Sequence, residues 1–234
     1  MGRFPHRLFS IFLPWKTIIL QNIGNDIVDL CHPQAIARYE DQRFVNRVLT
    51  LAEQKKLRSS SFPNECLWSF WAAKESAYKA ISRSFPLVSS SPKQYEVSIG
   101  DIGSSSFFHG MVTTPEMPVQ IKGVISTDYV HCLGVTGMDM DDQTIETNIC
   151  PIRTDNKGDI ILPDQESLFV RELAKDRIAE YLKAEVSQVQ IRREIIANQP
   201  GPPEVFFQGE KIPINISLSH DGRFVAFAFT MFDS

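Results

Sequence analysis

The stretch WSFWAAKESAYKAI, Trp68 to Ile81, constrains this chain more than any other. Wound as a helix at about 100° per residue, it puts Phe70, Ala73, Ala77 and Ile81 on one face. Two alanines among larger apolar residues suit close packing on a sheet, because alanine lets backbones approach. Almost opposite lie Trp68, Glu75 and Lys79, with Trp71 and Ala72 to one side. That second face meets either solvent or another part of the chain. As a surface pair, Glu75 and Lys79 at i,i+4 contribute only ~0.2–0.5 kcal/mol. In a shielded cleft beside indoles, Glu75 loses hydration, and its proton affinity rises unless a cation sits nearby. Lys79 and a metal ion are the two candidate cations.

The rest of the chain supplies sheets for that helix. The 234 residues allow one large domain or two compact lobes. QNIGNDIVDL, Gln21 to Leu30, reads as a short strand. Pro33 suits the first turn of a helix running to about Val48. Thr50 with Glu53 three residues on is a capping box, and Asn64 is the expected cap of the Trp68–Ile81 helix. YEVSIGDI, VQIKGVIS and DYVHCLGV read as strands. Residues 138–162 are acidic, polar and aperiodic, and read as a linker. SLFVRELAKDRIAEYLKAEV then has the 3.6-residue apolar pattern of a long helix. VQIRREII reads as a strand, QPGPPE as a turn, and INISLSH with RFVAFAF as a hairpin around Asp221-Gly222. VISTDYVHCLGV and ISLSHDGRFVAFAF share one pattern: apolar strand, Ser, a turn with Asp, aromatic-Val, apolar strand. The expected fold is α+β, two similar lobes related by a pseudo-twofold, each a helix on a small antiparallel sheet. The expected division is an extension 1–20, a lobe 21–137, the linker, and a lobe 163–234.

Composition narrows the function. A net charge of −4 argues against a generic nucleic-acid binder. The apolar run near the N-terminus is broken by Pro14 and Lys16 and is shorter than the ~20 residues that span a bilayer. The expectation is no membrane association and a cytoplasmic location. Cys31, Cys66, Cys132 and Cys150 fit no zinc template and are expected as reduced thiols.

Three polar features remain. Asp26, flanked by apolar strand residues, is an unusual choice for packing; Asp29 fits a turn or helix cap. Asp26 and Glu75 together offer hard oxygen ligands to Mg2+, which keeps several waters and bridges to substrate phosphates. Ser219-His220 ends an apolar strand, where it suits the grip of a phosphate or hydroxyl. Ser76-Ala-Tyr-Lys79 also fits the S-x-x-K nucleophile motif, but no K-T-G follows, and Ser76 points about 100° away from Glu75.

Four segments, IGNDIVDL, RFVNRVLTLAE, FWAAKESAYKA and ISLSHDGRFVAFAF, together resemble the 4′-phosphopantetheinyl transferase superfamily. The first three are similar to its holo-acyl-carrier-protein synthase branch in order and spacing. The unit from Ser167 to Phe229 resembles the S-x-S-H lobe of two-lobed members, placed last rather than first. The resemblance implies transfer of the phosphopantetheine arm of coenzyme A to a carrier-protein serine, releasing 3′,5′-ADP. It implies Asp26 and Glu75 as ligands of Mg2+ (or Mn2+), with Glu75 either base or ligand alone. It implies Lys79 near the diphosphate, Ser219 and His220 on a coenzyme A phosphate, and Arg171 on coenzyme A, with Lys175 and Arg177 as rivals. An acyl or peptidyl carrier protein is the implied partner of a monomeric chain. Arg38, Arg43, Arg47, Lys55, Lys56 and Arg58 form a basic region that could dock it. Val28 stands where two-lobed members carry a third acid, Gly201-Pro-Pro replaces a G-K-P turn, and Asp221 adds a negative charge beside His220. These departures leave a second reading: a non-catalytic relative that binds a carrier protein or coenzyme A as a scaffold.

Overall fold

A computed structural model describes residues 22–100, 102, 106–137, 145–152, 163–196 and 199–231. The expected extension, and residues 138–144 and 153–162 of the expected linker, lie outside the described residues. The chain runs β1 (Ile23–Asp29), α1 (Gln42–Val48), α2 (Leu51–Ser59), α3 (Pro63–Ile81), β2 (Glu96–Ile99), β3 (Phe107–Thr113), β4 (Val119–Ile125) and β5 (Tyr129–Val135). It continues with β6 (Ile145–Pro151), α4 (Pro163–Leu182), β7 (Val189–Ile196), β8 (Gln199–Phe207), β9 (Glu210–Asp221) and β10 (Phe224–Thr230). Two five-stranded antiparallel sheets result, ordered β1-β5-β4-β3-β2 and β6-β10-β9-β8-β7. The fold is α+β in two lobes. Each lobe is a strand, a helical segment and a four-strand meander whose last strand pairs with the first.

α3 lies on the first sheet by the face read from its spacing: Phe70, Ala73, Ala77 and Ile81 are fully buried in the first core. The approach is close because β1 carries Gly24. A Cβ there would sit 2.1 Å from the carbonyl oxygen of Ser76 and 2.7 Å from the amide nitrogen of Ala80. A second core forms where Val170, Ala174 and Ile178 of α4 meet Val189, Val205, Ile216 and Val225 of the second sheet. One ion pair holds the helical corner. Lys74 and Glu53 are 2.7 Å apart with both side chains 1% exposed. The Lys74 ammonium also donates to the carbonyls of Val48, Pro92 and Tyr95, and Glu53 accepts from the backbone of Thr50 and Val97. The Thr50–Glu53 capping box is present as expected, with a further role for its acid.

Several expectations are corrected. The helix expected from Pro33 to Val48 is broken: Ala37 has φ 53°, and Asp41 caps α1 through the amides of Arg43 and Phe44. α3 begins with Pro63 after Phe62 rather than under an Asn64 cap. The segment FFHGMVT forms β3, which its Gly and His obscured. QPGPPE is not a turn, since β8 starts at Gln199 and pairs with β7 through Pro200 and Pro203, with a shift of register between them. Residues 145–151, expected within the linker, form β6. Its few apolar residues suffice because both of its faces find partners: Ile145 and Ile149 pack against β1 and β5, while Cys150 joins the second core.

The lobes meet through β1. Ile23, Leu133 and Val135 pack with Ala228, and Ile27 packs with Phe224 and Ala226. Replacing Gly24 by alanine is expected to cost about 1–3 kcal/mol, because neither Ser76 O nor Ala80 N can yield. Gly100→Ala, where a Cβ would meet nothing within 4 Å, should stay within about 0.5 kcal/mol of the parent. Urea unfolding midpoints of the two variants test the difference.

Candidate active site between the lobes

A cleft of about 650 Å3 opens at the junction, lined by Asp26, Glu75 and His220 together with Asp221, His32 and an aromatic wall. The first lobe supplies the acids and rings. Phe44 packs 5.8 Å from Trp68 and 5.9 Å from Trp71, centroid to centroid. Trp68 is held by donation from Nε1 to the carbonyl of Ala35. Asp26 points from β1 toward α3 because it shares the Gly24 face of the strand. Lys79 reaches it there, with Nζ 2.7 Å from Asp26 Oδ1 and 2.9 Å from the carbonyl of Asn25.

Lys79 thus bonds Asp26 rather than its i,i+4 neighbour Glu75. Burial pushes the Glu75 carboxyl up to about 7, and the charge of Asp26 adds to the rise against the opposing pull of Lys79. The Asp26 carboxyl is raised too, chiefly by burial, with Lys79 opposing. Two carboxylates and one ammonium leave this corner short of positive charge.

His220 comes from the end of β9 in the other lobe. Its Nδ1 lies 2.9 Å from Glu166 of α4. Asp221 next to it accepts from the amide of Asp29, and burial raises its carboxyl. Asp29, expected as a cap, does more than turn the chain. It accepts from the amide of Cys31 and from the Arg223 backbone and guanidinium across the junction. Burial works to raise its carboxyl, but these Arg223 and Cys31 bonds hold it below the ordinary value. Gly222, with φ 51°, leaves room for Asp29: a Cβ there would lie 2.6 Å from Asp29 Oδ2.

A second cavity, about 490 Å3, lies between α3 and β8–β9, with Lys79 in its wall. Arg83 and Arg193 line it beside the Pro200–Pro203 backbone, and no acid is among its lining residues. Arg83 donates to the carbonyls of Pro203 and Ile216, so it ties the lobes as well. Burial lowers the Arg83 guanidinium to about 10. Burial and the nearby Arg171 lower that of Arg193.

Of the residues singled out from sequence, Asp26, Glu75 and His220 converge on one cleft, and Lys79 joins it to the second cavity. Arg171 lies outside the lining of both, on α4, with its Nε buried and unpartnered among the described residues. Of its rivals, Lys175 pairs with Glu172, and Arg177 pairs with Glu146 and Glu180. Ser219 is buried in the junction, where its hydroxyl donates to Asn25 Oδ1. Ser76 is buried as well and donates to the Cys132 carbonyl, which removes it as a nucleophile. The basic region divides: Arg38 and Arg47 stand over the Phe44 ring at the cleft, whereas Lys56 turns to the carbonyls of Ile99 and Gly100. The four cysteines are free thiols. Among the described residues, no helix is long and apolar enough to cross a membrane, and no group of three His, Cys, Asp or Glu side chains converges as a metal site. Sequence reasoning missed Arg83, Arg193 and Asn25. No motif flags the two arginines, and Asn25 was hidden between the glycine and the aspartate of its own motif.

Residues 22–133 match the family described as the 4′-phosphopantetheinyl transferase superfamily. Among curated proteins, the holo-[acyl-carrier-protein] synthase of Mycoplasma pneumoniae is 35% identical over 74 residues. That match covers 30% of this chain and 62% of the relative, so the chain spans less than two thirds of the relative's length.

The Glu75 shift has a measurable consequence. With its carboxyl raised from 4.5 to about 7, the folded chain holds more protons than the unfolded chain between those values. Stability therefore falls as pH rises across that window, by about 3 kcal/mol for the Glu75 contribution. In metal-free buffer, Glu75→Gln should match the parent near pH 4 and exceed it in stability at pH 8. Urea unfolding at the two pH values tests this.

Proposed function

We propose that this chain, whose residues 22–133 match the 4′-phosphopantetheinyl transferase superfamily, transfers the phosphopantetheine arm of coenzyme A to a serine of an apo carrier protein, with Mg2+. The observation that carries the reading is the convergence of Asp26 and Glu75 from one lobe and His220 from the other on a single cleft.

The residues present fit a hard dication. Asp26 is buried and Glu75 half-buried; burial raises both carboxyls, and the charge of Asp26 raises that of Glu75 further. A dication held by Asp26 and Glu75, with water completing its shell, offsets that rise and favours both ionised forms. When bound, it would supply charge neutralisation at the diphosphate oxygens. Mn2+ has the same hard-oxygen preference and is the alternative ion.

The chain's own groups account for the rest. The carrier serine oxygen forms a bond to the phosphorus that bears the pantetheine arm. The bond from that phosphorus to the 3′,5′-ADP oxygen breaks. Glu75, which lines the cleft, is suited to take the serine proton directly or through a water. Lys79 stands within reach of both cavities and is suited to steady the departing phosphate. The second cavity, with Lys79, Arg83 and Arg193 in its wall and Glu204 near Arg83, suits the anionic nucleotide end of coenzyme A. The aromatic cleft then receives the arm. Arg38 and Arg47 at its rim suit an acidic carrier protein. Two lobes in one chain complete the cleft without a second copy, which supports a monomer as the active form.

Mass spectrometry of apo carrier proteins incubated with the chain, coenzyme A and Mg2+ tests the reading through added phosphopantetheine. Glu75→Gln and Asp26→Asn, folded by circular dichroism, should each lower turnover by about 10^2–10^4-fold. Binding of coenzyme A and carrier with no transfer, and with Glu75→Gln indistinguishable from the parent, would replace the enzyme by the scaffold. Separately, Arg193→Ala should raise the KM for coenzyme A about tenfold, the loss of one charge-assisted hydrogen bond, with kcat retained.

A further inference from the structure

Asn25 is fully buried between the lobes, and every polar group it has is engaged. Its amide N–H donates to Ser217 Oγ at 2.8 Å. Its side-chain Nδ2 donates to the Ser217 carbonyl at 2.6 Å, and its Oδ1 accepts from the Ser219 hydroxyl. Its own carbonyl accepts from Lys79. Ser217 and Ser219 are two apart on β9, so both hydroxyls face the same side, the junction. Both are buried and neither lines the cleft that holds His220; Ser219 lines neither cavity, whereas Ser217 borders the second.

A carboxamide has a distinct donor end and acceptor end. The Ser217 carbonyl can meet only the donor end, and the Ser219 hydroxyl proton can meet only the acceptor end. Sliding β9 along β1 by one residue would replace the two serines with Leu218 and His220. It would break the three hydrogen bonds that join Asn25 to Ser217 and Ser219, and each buried polar group left unpaired would cost ~1–3 kcal/mol. The apolar clusters on either side, around Ile23 and around Ile27, carry no such discrimination. The register of the two lobes is therefore read at Asn25, within the buried middle of β1, as well as at the Asp29 bonds to Asp221 and Arg223 at its end. Asp26 follows Asn25 in β1, and His220 follows Ser219 in β9.

We infer that Asn25 is a positioning residue. Clamped by Ser217 and Ser219, it sets the register of β1 on β9, and with it the placement of Asp26 and Lys79 against His220. On this inference the Ser219 hydroxyl acts on the Asn25 amide rather than on a phosphate of coenzyme A, and Ser217, at the edge of the second cavity, anchors the Asn25 backbone and side chain. The inference rests on the transferase reading for its catalytic consequence, but not for the clamp itself.

The test uses the full chain with Ser219→Ala, Asn25→Ala and the double variant. Calorimetry gives the Kd for coenzyme A, turnover on apo carrier gives kcat, and hydrogen exchange reads the Asn25 amide. For Ser219→Ala, the Kd should stay within about twofold while kcat falls at least about tenfold. Exchange at Asn25 should accelerate at least about tenfold as its side chain is released. The double variant should be no slower than Asn25→Ala alone, because the two groups act as one unit. A Kd weakened about tenfold with Asn25 exchange unchanged would make Ser219 a phosphate ligand and overturn the inference. Losses in kcat that multiply in the double variant would overturn it as well. If the parent neither binds coenzyme A nor modifies a carrier, the transferase reading fails, and the exchange result alone decides the clamp. Acceleration then sustains the clamp, and unchanged exchange ends it.

Discussion

The structure depends on β1 being occupied on both faces. Gly24, Asp26 and Val28 look toward α3; Ile23, Asn25, Ile27 and Asp29 look toward the second lobe. A strand buried on both sides normally reads as a continuous apolar run. This one instead carries Asn25, Asp26 and Asp29 among its apolar residues, and each polar residue has a defined partner. Asp26 has Lys79, Asn25 has the two serines, and Asp29 has Arg223. Because a strand repeats every two residues, the partners of Asp26 and of Asn25 belong to different layers. The carboxylate is held by the helix, while its neighbour locks the other lobe. The site is therefore built where two packing problems share a backbone.

The same logic separates Lys74 from Glu75. One residue apart on a helix, they diverge by about 100°. Lys74 turns into the corner beneath α1 and α2, where the buried Glu53 and three carbonyls saturate it. Glu75 turns into the cleft, where its nearest cation is spent on Asp26. One ion has an acid and three carbonyls around it, although burial still lowers its proton affinity, and its neighbour is left without a paired cation. Such a contrast suits a scaffold that must not move beside a group that must change its charge. The tryptophans of the opening helix face belong to this arrangement. They narrow the water around Glu75, while Trp68 takes its own hydrogen bond from α3 to Ala35.

What was legible in the sequence was what obeys local rules. The alanine face of α3, the Thr50–Glu53 box and the closing hairpin follow from helix period, capping and turn chemistry. Asp26, Glu75 and His220 stood out because a charge at an apolar strand or helix position demands a reason. What was not legible depends on partners distant in the chain. Asp29 reads as a cap until Arg223 is seen 194 residues away. Ser219 reads as a phosphate contact, and only the fold brings Asn25 to its hydroxyl. β6 reads as a linker because its apolar residues are few, and only the neighbouring lobe makes them enough. Prolines in β8 argued for a turn, yet the strand tolerates them, with Arg83 and Arg193 donating to carbonyls along it.

The two lobes share one topology, yet they do not make two sites. In the first sheet, Ile125 pairs with Val130, and Asp26 stands opposite Cys132. In the second, His220 pairs with Val225, and Asn148 stands opposite Phe227. Matching the hairpins puts Asn148 where the first lobe has Asp26, and Ile125 where the second has His220. The acid and the imidazole have thus been kept on opposite copies. Only one of the two possible pairings brings an acid against a histidine, while the other brings an amide against an isoleucine. The neutral pair carries no charge to neutralise, so its side of the junction is free to close by packing. The charged pair has to stay hydrated or hold a ligand. The duplication that builds the cleft is also what makes it single.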